Sequence, residues 1–159
     1  MGNSVLEIEQ EQGVFELVCE VIAEVLEMDV DEISGSQSLI DDLGADSLDI
    51  VDLSYSLGKR LNIKMPNKTI IVHAEEACEQ ENFFAVDGVL TDHGAKLLQQ
   101  SINRYSEEQA TAGMSLADVF CNTTVENWGY MCQSILNSQA RSGDVLILAG
   151  ISQYLEHVS

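Results

Sequence analysis

Apolar side chains at Val14, Leu17, Val18, Val21, Ile22, Val25 and Leu26 recur at three- and four-residue spacing, with Glu16, Glu20, Glu24 and Glu27 largely off that stripe. The spacing predicts a helix over about residues 12–28 with one wide buried face. Residues 1–12 are polar and acidic and read as a frayed lead-in. Residues 29–45, rich in Asp, Ser and Gly, read as a long loop pinned by Ile33, Leu39, Ile40 and Leu43. Helical spacing returns from Ser47 to Arg60, where Leu48, Val51 and Tyr55 form one series and Leu53, Leu57 and Leu61 another. These positions span too much of the circumference for a single buried stripe. Either both sides pack, or a small apolar patch stays exposed between Asp49 and Asp52.

Beyond Pro66 the pattern is less regular. Thr69-Ile70-Ile71-Val72 fits a strand or a helix start, and periodicity does not decide. Residues 74–85 have weak helical character. Thr91 is placed to cap a helix, with Leu90 as its hydrophobic staple, that continues through Leu97, Leu98, Ile102 and Tyr105 to about Glu108. Ser115 caps a short helix through Phe120. Thr123 or Thr124 caps another, with Val125, Trp128, Cys132, Ile135 and Leu136 facing inward and Trp128 read as core. After Ser142-Gly143, the spacing of Leu148, Ile151, Leu155 and Val158 favours a C-terminal amphipathic helix, packed on the bundle or on a second subunit, despite Gly150.

Composition adds a class. The chain has 159 residues and 45% hydrophobic content, enough for a core without staples. No apolar run approaches a membrane span and no secretory signal is recognisable, so a cytoplasmic protein is expected. The opening Met1-Gly2-Asn3-Ser4-Val5-Leu6 resembles a myristoylation signal but has Leu6 where Ser or Thr is needed. Net charge is −20, and residues 1–58 hold fifteen Asp or Glu with no Lys or Arg. Such a field repels nucleic acid and anionic membranes and speeds encounter with basic protein patches. Cys19, Cys78, Cys121 and Cys132 form no Cys-x-x-Cys pair and no zinc spacing. Asp29-Val30-Asp31 opens like a calcium loop, but Ile33 and Ser34 occupy a ligand position and the obligatory glycine, so no metal site is expected.

Chemistry concentrates at Asp41-Asp42-Leu43-Gly44-Ala45-Asp46-Ser47-Leu48-Asp49. Gly44 supplies a permissive turn, Asp46 is a good N-cap, and Asp49 can complete a capping box. Ser47 then sits at a helix N-terminus, where free amides and the helix dipole favour an attached anion such as a phosphodiester. Leu48 is expected to turn inward and fix the tip. A hydrolase with Ser47 as nucleophile is disfavoured: there is no Gly-x-Ser-x-Gly elbow, and His73, His93 and His157 stand in no motif.

The run Val25 to Ile33, the segment Ser38 to Leu48, and above all the triplet Asp46-Ser47-Leu48 resemble the acyl carrier proteins of fatty acid and polyketide synthesis. The likeness covers residues 14–66, ending at Ile63-Lys64-Met65-Pro66, with a weaker echo at Thr123 to Trp128. It implies an all-α four-helix bundle (12–66 and 115–137), with a mainly helical insertion (67–114) between the second and third bundle helices and an extension (138–159) carrying the extra helix, all in one carrier domain. It implies that Ser47 carries a covalent 4'-phosphopantetheine, with Asp46 and Leu48 completing the attachment motif. Asp49, Ile50, Val51, Asp52 and Tyr55 would meet partner enzymes. Those partners would be a phosphopantetheinyl transferase, then acyltransferases, ketosynthases or acyl-activating enzymes with basic docking patches, acting on a monomeric carrier that is not itself an enzyme. Lys59 and Arg60 depart from the family, which commonly continues with acids there. Two alternatives stay open: a peptidyl or aryl carrier of a nonribosomal pathway, and an unmodified acidic helical adaptor. Ile70, Ile71, Phe83, Phe84, Leu97 and Leu98 exceed what a solvated loop needs, so the insertion either enlarges an acyl cavity or serves packing alone.

Overall fold

The computed structural model describes the backbone of residues 5–158 and the side chains of residues 13–158; the first four residues of the lead-in, with most of the myristoylation-like signal, lie outside it. The regular structure of the described chain is helical apart from one short hairpin. In order, the elements are α1 (Val5–Leu26), α2 (Ser47–Leu61), α3 (Ile70–Ala77), β1 (Ala85–Val86), β2 (Val89–Leu90), α4 (Asp92–Gln99), α5 (Leu116–Asn122), α6 (Val125–Asn137) and α7 (Gly143–Val158).

The α1 stripe packs against α2 and α6. Val14, Val18, Val21 and Ile22 meet Leu53 and Leu57 of α2 and Val125, Met131, Cys132 and Ile135 of α6, with Leu39 and Ala45 of the long loop closing one end. Each large side chain so buried contributes about 1.5–3 kcal/mol relative to exposure. Gly129 lets α1 approach α6, because a Cβ there would fall 2.1 Å from the Phe15 ring. The α1 helix stops where Glu27 turns left-handed (φ 55°) and the Met28 amide donates to the Ala23 carbonyl at 3.0 Å, a Schellman-type ending. Arg60 reaches back to α1, 3.4 Å from Glu24 and 3.9 Å from Glu20. These exposed pairs contribute little stability, but they turn that cation away from the tip of α2.

In the middle of the chain the structure settles one open reading and departs from two others. The run at Thr69 is a helix start, decided by the Thr69 hydroxyl accepting from the Val72 amide at 3.3 Å. The weak helix expected over 74–85 ends at Ala77 and gives way to the β1–β2 hairpin, in which Ala85 pairs with Leu90 and Val86 with Val89. Its turn residues Asp87 (φ 52°) and Gly88 (φ 78°) are both left-handed, as the tightest hairpin connection requires. Thr91 caps α4 as expected, but α4 ends at Gln99, not near Glu108. The Ser101 hydroxyl donates to the Leu98 carbonyl at 2.6 Å and Arg104 turns left-handed (φ 53°), so Ile102 and Tyr105 leave the helical register.

The insertion has too few large apolar residues to build a core alone. It gains one by pooling with the C-terminal helix. Ile70, Ile71 and Ala74 of α3, Phe84, Leu90, Leu97 and Leu98 pack with Ile147, Ile151 and Tyr154 of α7. Ile102 touches both clusters and links them. A backbone clamp holds α7 in place: the Lys64 amide donates to Arg141 and the Gly143 amide donates to Lys64, each at 2.8 Å. Gly143 tolerates this only without a Cβ, which would lie 2.4 Å from the Pro66 ring.

Candidate functional site

The tip of α2 is built by short-range hydrogen bonds. The Asp46 carboxylate accepts from the Asp49 amide at 2.8 Å, and the Asp49 carboxylate accepts from the Asp46 amide at 3.0 Å. This is the reciprocal capping box expected from the sequence. Upstream, Ser38 and Asp42 make a second such exchange at 2.8 and 2.9 Å, and Gly44 (φ 76°) turns the chain into the cap. Ser47 is the first residue of α2 and is exposed. Among the described residues, no protein acceptor takes the amides of Ser47 or Leu48. Those two donors and the helix dipole favour an anion on the Ser47 hydroxyl.

Leu48 does not turn inward. It is 74% exposed, because the buried side of α2 is set by Leu53 and Leu57, and Leu48 lies well around the helix from both. It instead begins a stripe with Val51 (64% exposed) and Tyr55 (70% exposed), beside exposed Asp52. Of the two arrangements the α2 pattern allowed, the exposed apolar patch is the one formed. Asp49 and Ile50 are half-buried; Asp49 is committed to the cap, and Ile50 packs toward the bundle core.

Ile50, Val51 and Ser54 follow Ser47 at three, four and seven residues, so they share its helix face. These residues form one wall of a cavity of about 480 Å³. The opposite wall comes from α5 and α6, through Val119, Phe120, Trp128 and Met131, and the remainder from Ile70, Ile71 and Leu98 of the insertion and Ile147 of α7. Trp128, read from the sequence as core, is a half-buried wall of this cavity. Ile70, Ile71 and Leu98 thus line the space, whereas Phe83, Phe84 and Leu97 serve the second core. A larger and more open groove, about 650 Å³, runs between α1 and α6 and includes no residue of α2.

A family model described as "Phosphopantetheine attachment site" matches residues 16–74, a span that contains this tip. The chain is 51% identical over 55 residues to an acyl carrier protein of Clostridium acetobutylicum, covering 35% of this chain and 71% of that protein. This chain belongs to the acyl carrier protein family. It is also 42% identical over 52 residues to the acyl carrier protein AcpXL of Mesorhizobium japonicum, covering 33% of this chain and 56% of that one. With an acyl carrier protein of Wolinella succinogenes the figures are 36% over 56 residues, 35% and 74%. No solved structure matches the chain. The family match stops inside α3, so most of the insertion and all of α5, α6 and α7 lie beyond it.

The family's cofactor is a covalently attached 4'-phosphopantetheine, and the residues present fit it. The serine hydroxyl is open to solvent, two adjacent amides are free, and an apolar cavity runs along the same helix face. Sequence reading missed Asn103, Tyr105, Phe120, Thr123 and Met131 as cavity residues. No local signal marks them, since they meet only when α5, α6 and the insertion pack together.

Proposed function

We propose that this carrier holds acyl intermediates as thioesters on a phosphopantetheine arm attached to Ser47, and presents them to enzymes of fatty acid, lipid or polyketide synthesis. When bound, the group supplies a flexible arm ending in the thiol that forms the thioester. The protein's own residues do the rest. Ser47 offers its hydroxyl oxygen to the phosphoryl group of coenzyme A, losing its proton to the transferase as adenosine 3',5'-bisphosphate leaves. Asp46 and Asp49 hold the start of α2 in place through the capping box, which keeps that hydroxyl at a fixed position without covering it. Leu48, Val51, Asp52 and Tyr55 form the mixed apolar and acidic face that a phosphopantetheinyl transferase, and then acyl-handling enzymes with basic patches, would contact. Apolar contact supplies affinity in such a face, and the acids supply encounter rate. The carrier catalyses no step itself under this reading, and it works in the cytoplasm.

The observation that carries the proposal is the placement of an exposed Ser47 on the helix face that also walls the cavity. Incubation with a phosphopantetheinyl transferase and coenzyme A, followed by intact-mass measurement, tests it. The expected result is one phosphopantetheine on the native chain and none on Ser47→Ala, which keeps the Asp46 cap and should fold normally. A Ser47→Ala chain that still gains the mass would reject Ser47 as the attachment point.

A further inference from the structure

The cavity beside Ser47 is apolar over most of its wall, with polar residues at its exposed mouth, where Asn67, Lys68 and Thr69 lie, and again at its buried end. Its rim is exposed at Val51 and Phe120, while Leu98, Met131 and Ile147 are buried. Beside these sit three polar residues, buried Asn103 and Thr123 and half-buried Tyr105. Asn103 and Tyr105 come from the segment after α4, outside the region matched to the family.

Asn103 is only 7% exposed. Its Nδ2 faces α6, lying 3.5 Å from the Asn127 carbonyl oxygen and 3.6 Å from the Met131 sulfur. That environment fixes the amide orientation, because the flipped form would set Oδ1 against a carbonyl oxygen. Oδ1 is then the open end of the side chain, with no donor from the described residues. The hydroxyls of Tyr105 and Thr123 are 3.1 Å apart, and Thr123 donates its proton to the Val119 carbonyl at 2.8 Å. Tyr105 must therefore be the donor to Thr123, which leaves the Tyr105 oxygen as a second acceptor. Burial holds the Tyr105 phenol above its ordinary range, so it stays protonated in that role.

The buried end of the cavity thus offers acceptors and little donor capacity. A saturated chain packed there strands them, and a keto group would add a further acceptor. A hydroxyl donates and satisfies one. We propose that the cavity selects acyl chains bearing a hydroxyl group, with Asn103 as the residue that reads it. This inference rests on the Ser47 carrier reading above and adds the class of acyl chain.

The test loads the full-length carrier from coenzyme A thioesters, using a phosphopantetheinyl transferase. Three dodecanoyl chains are compared: unsubstituted, hydroxylated near the thioester, and hydroxylated near the methyl end. Hydroxylamine cleavage of each thioester reports how far the chain is withdrawn into the protein. At least one hydroxylated chain should be protected roughly five- to tenfold more than the unsubstituted one, the factor expected for one buried hydrogen bond gained. Asn103→Leu, which keeps the branching and the number of heavy atoms, should remove the difference and leave loading intact. Equal protection of all three chains in the native carrier overturns the inference, as does discrimination that survives in Asn103→Leu. If that variant does not fold, the native side-chain amide decides. A shift of the Asn103 Nδ2 proton resonances on loading the hydroxylated chain, and not the unsubstituted one, supports the inference, and no shift overturns it. Failure to load any chain at Ser47 overturns both the carrier reading and this one.

Discussion

His73 Nε2 lies 2.6 Å from an Asp144 carboxylate oxygen, joining the insertion to the C-terminal helix across 71 residues of sequence. The same carboxylate accepts from the Asn67 amide at 3.0 and 3.2 Å. One side chain at the start of α7 therefore serves both the entry to α3 and a buried residue within it. Asp144→Ala leaves the buried His73 without its partner and should cost about 1–3 kcal/mol, read as a lower urea midpoint. Loading of Ser47 should be unchanged, because the bundle core contains neither residue.

Local signals made much of this fold legible in the sequence. The caps at Asp46, Thr91, Ser115 and Thr124 involve partners three residues away, so the chain encodes them without tertiary help. Asp87-Gly88 between Val86 and Val89 was an equally local signal for the hairpin, and weak helical spacing obscured it. Leu48 was misplaced because its exposure depends on which α2 face meets α1, a tertiary fact. The second core is invisible to any window of residues, since Ile70 and Phe84 find Ile147 and Ile151 from the far end of the chain. The cavity fails to show in sequence for the same reason.

Buried Cys132 and half-buried Tyr105 give the fold an alkaline limit. Burial pushes the Cys132 thiol up from 9.0 to about 12, and burial also raises Tyr105 above 10.0. The unfolded chain ionises these groups first, so their stabilising effect is complete below pH 9 and is lost as pH rises from 9 toward 12. Cys132 alone should remove on the order of 1 kcal/mol per pH unit in that window. Urea midpoints measured from pH 7 to 11 should be flat on this account at first and then fall. A midpoint that rises above pH 9 would contradict the burial of Cys132.

Asp52 allows the docking face to be tested apart from the cap. Asp49 holds the helix start, so reversing its charge would confound stability with recognition. Asp52 is exposed and makes no cap bond. Asp52→Lys should slow transferase loading on the order of threefold at low salt, and the residual rate should depend less on ionic strength. Val51→Ala should slow loading with its salt dependence unchanged, because it removes apolar contact and no charge. Loading that proceeds at the native rate in both variants would exclude this face of α2 from recognition.

Removing α7 separates the two cores. The helix contributes Ile147, Ile151 and Tyr154 to the insertion's cluster, and only partly buried Leu146 to the bundle's. Losing three large side chains costs on the order of 6 kcal/mol or more, more than a unit of this size can spare. A chain truncated after Ser142 should therefore lose helicity beyond the sixteen residues of α7, because α3 and α4 are left without a core. The α1–α2–α6 packing should persist, and with it the loading of Ser47. The cavity would be opened along the Ile147 side, so a long acyl thioester on the truncated carrier should be cleaved by hydroxylamine as fast as a short one. Loss of Ser47 loading on truncation would show instead that the bundle depends on the second core. Retention of helicity in α3 and α4 would show that the insertion folds without α7.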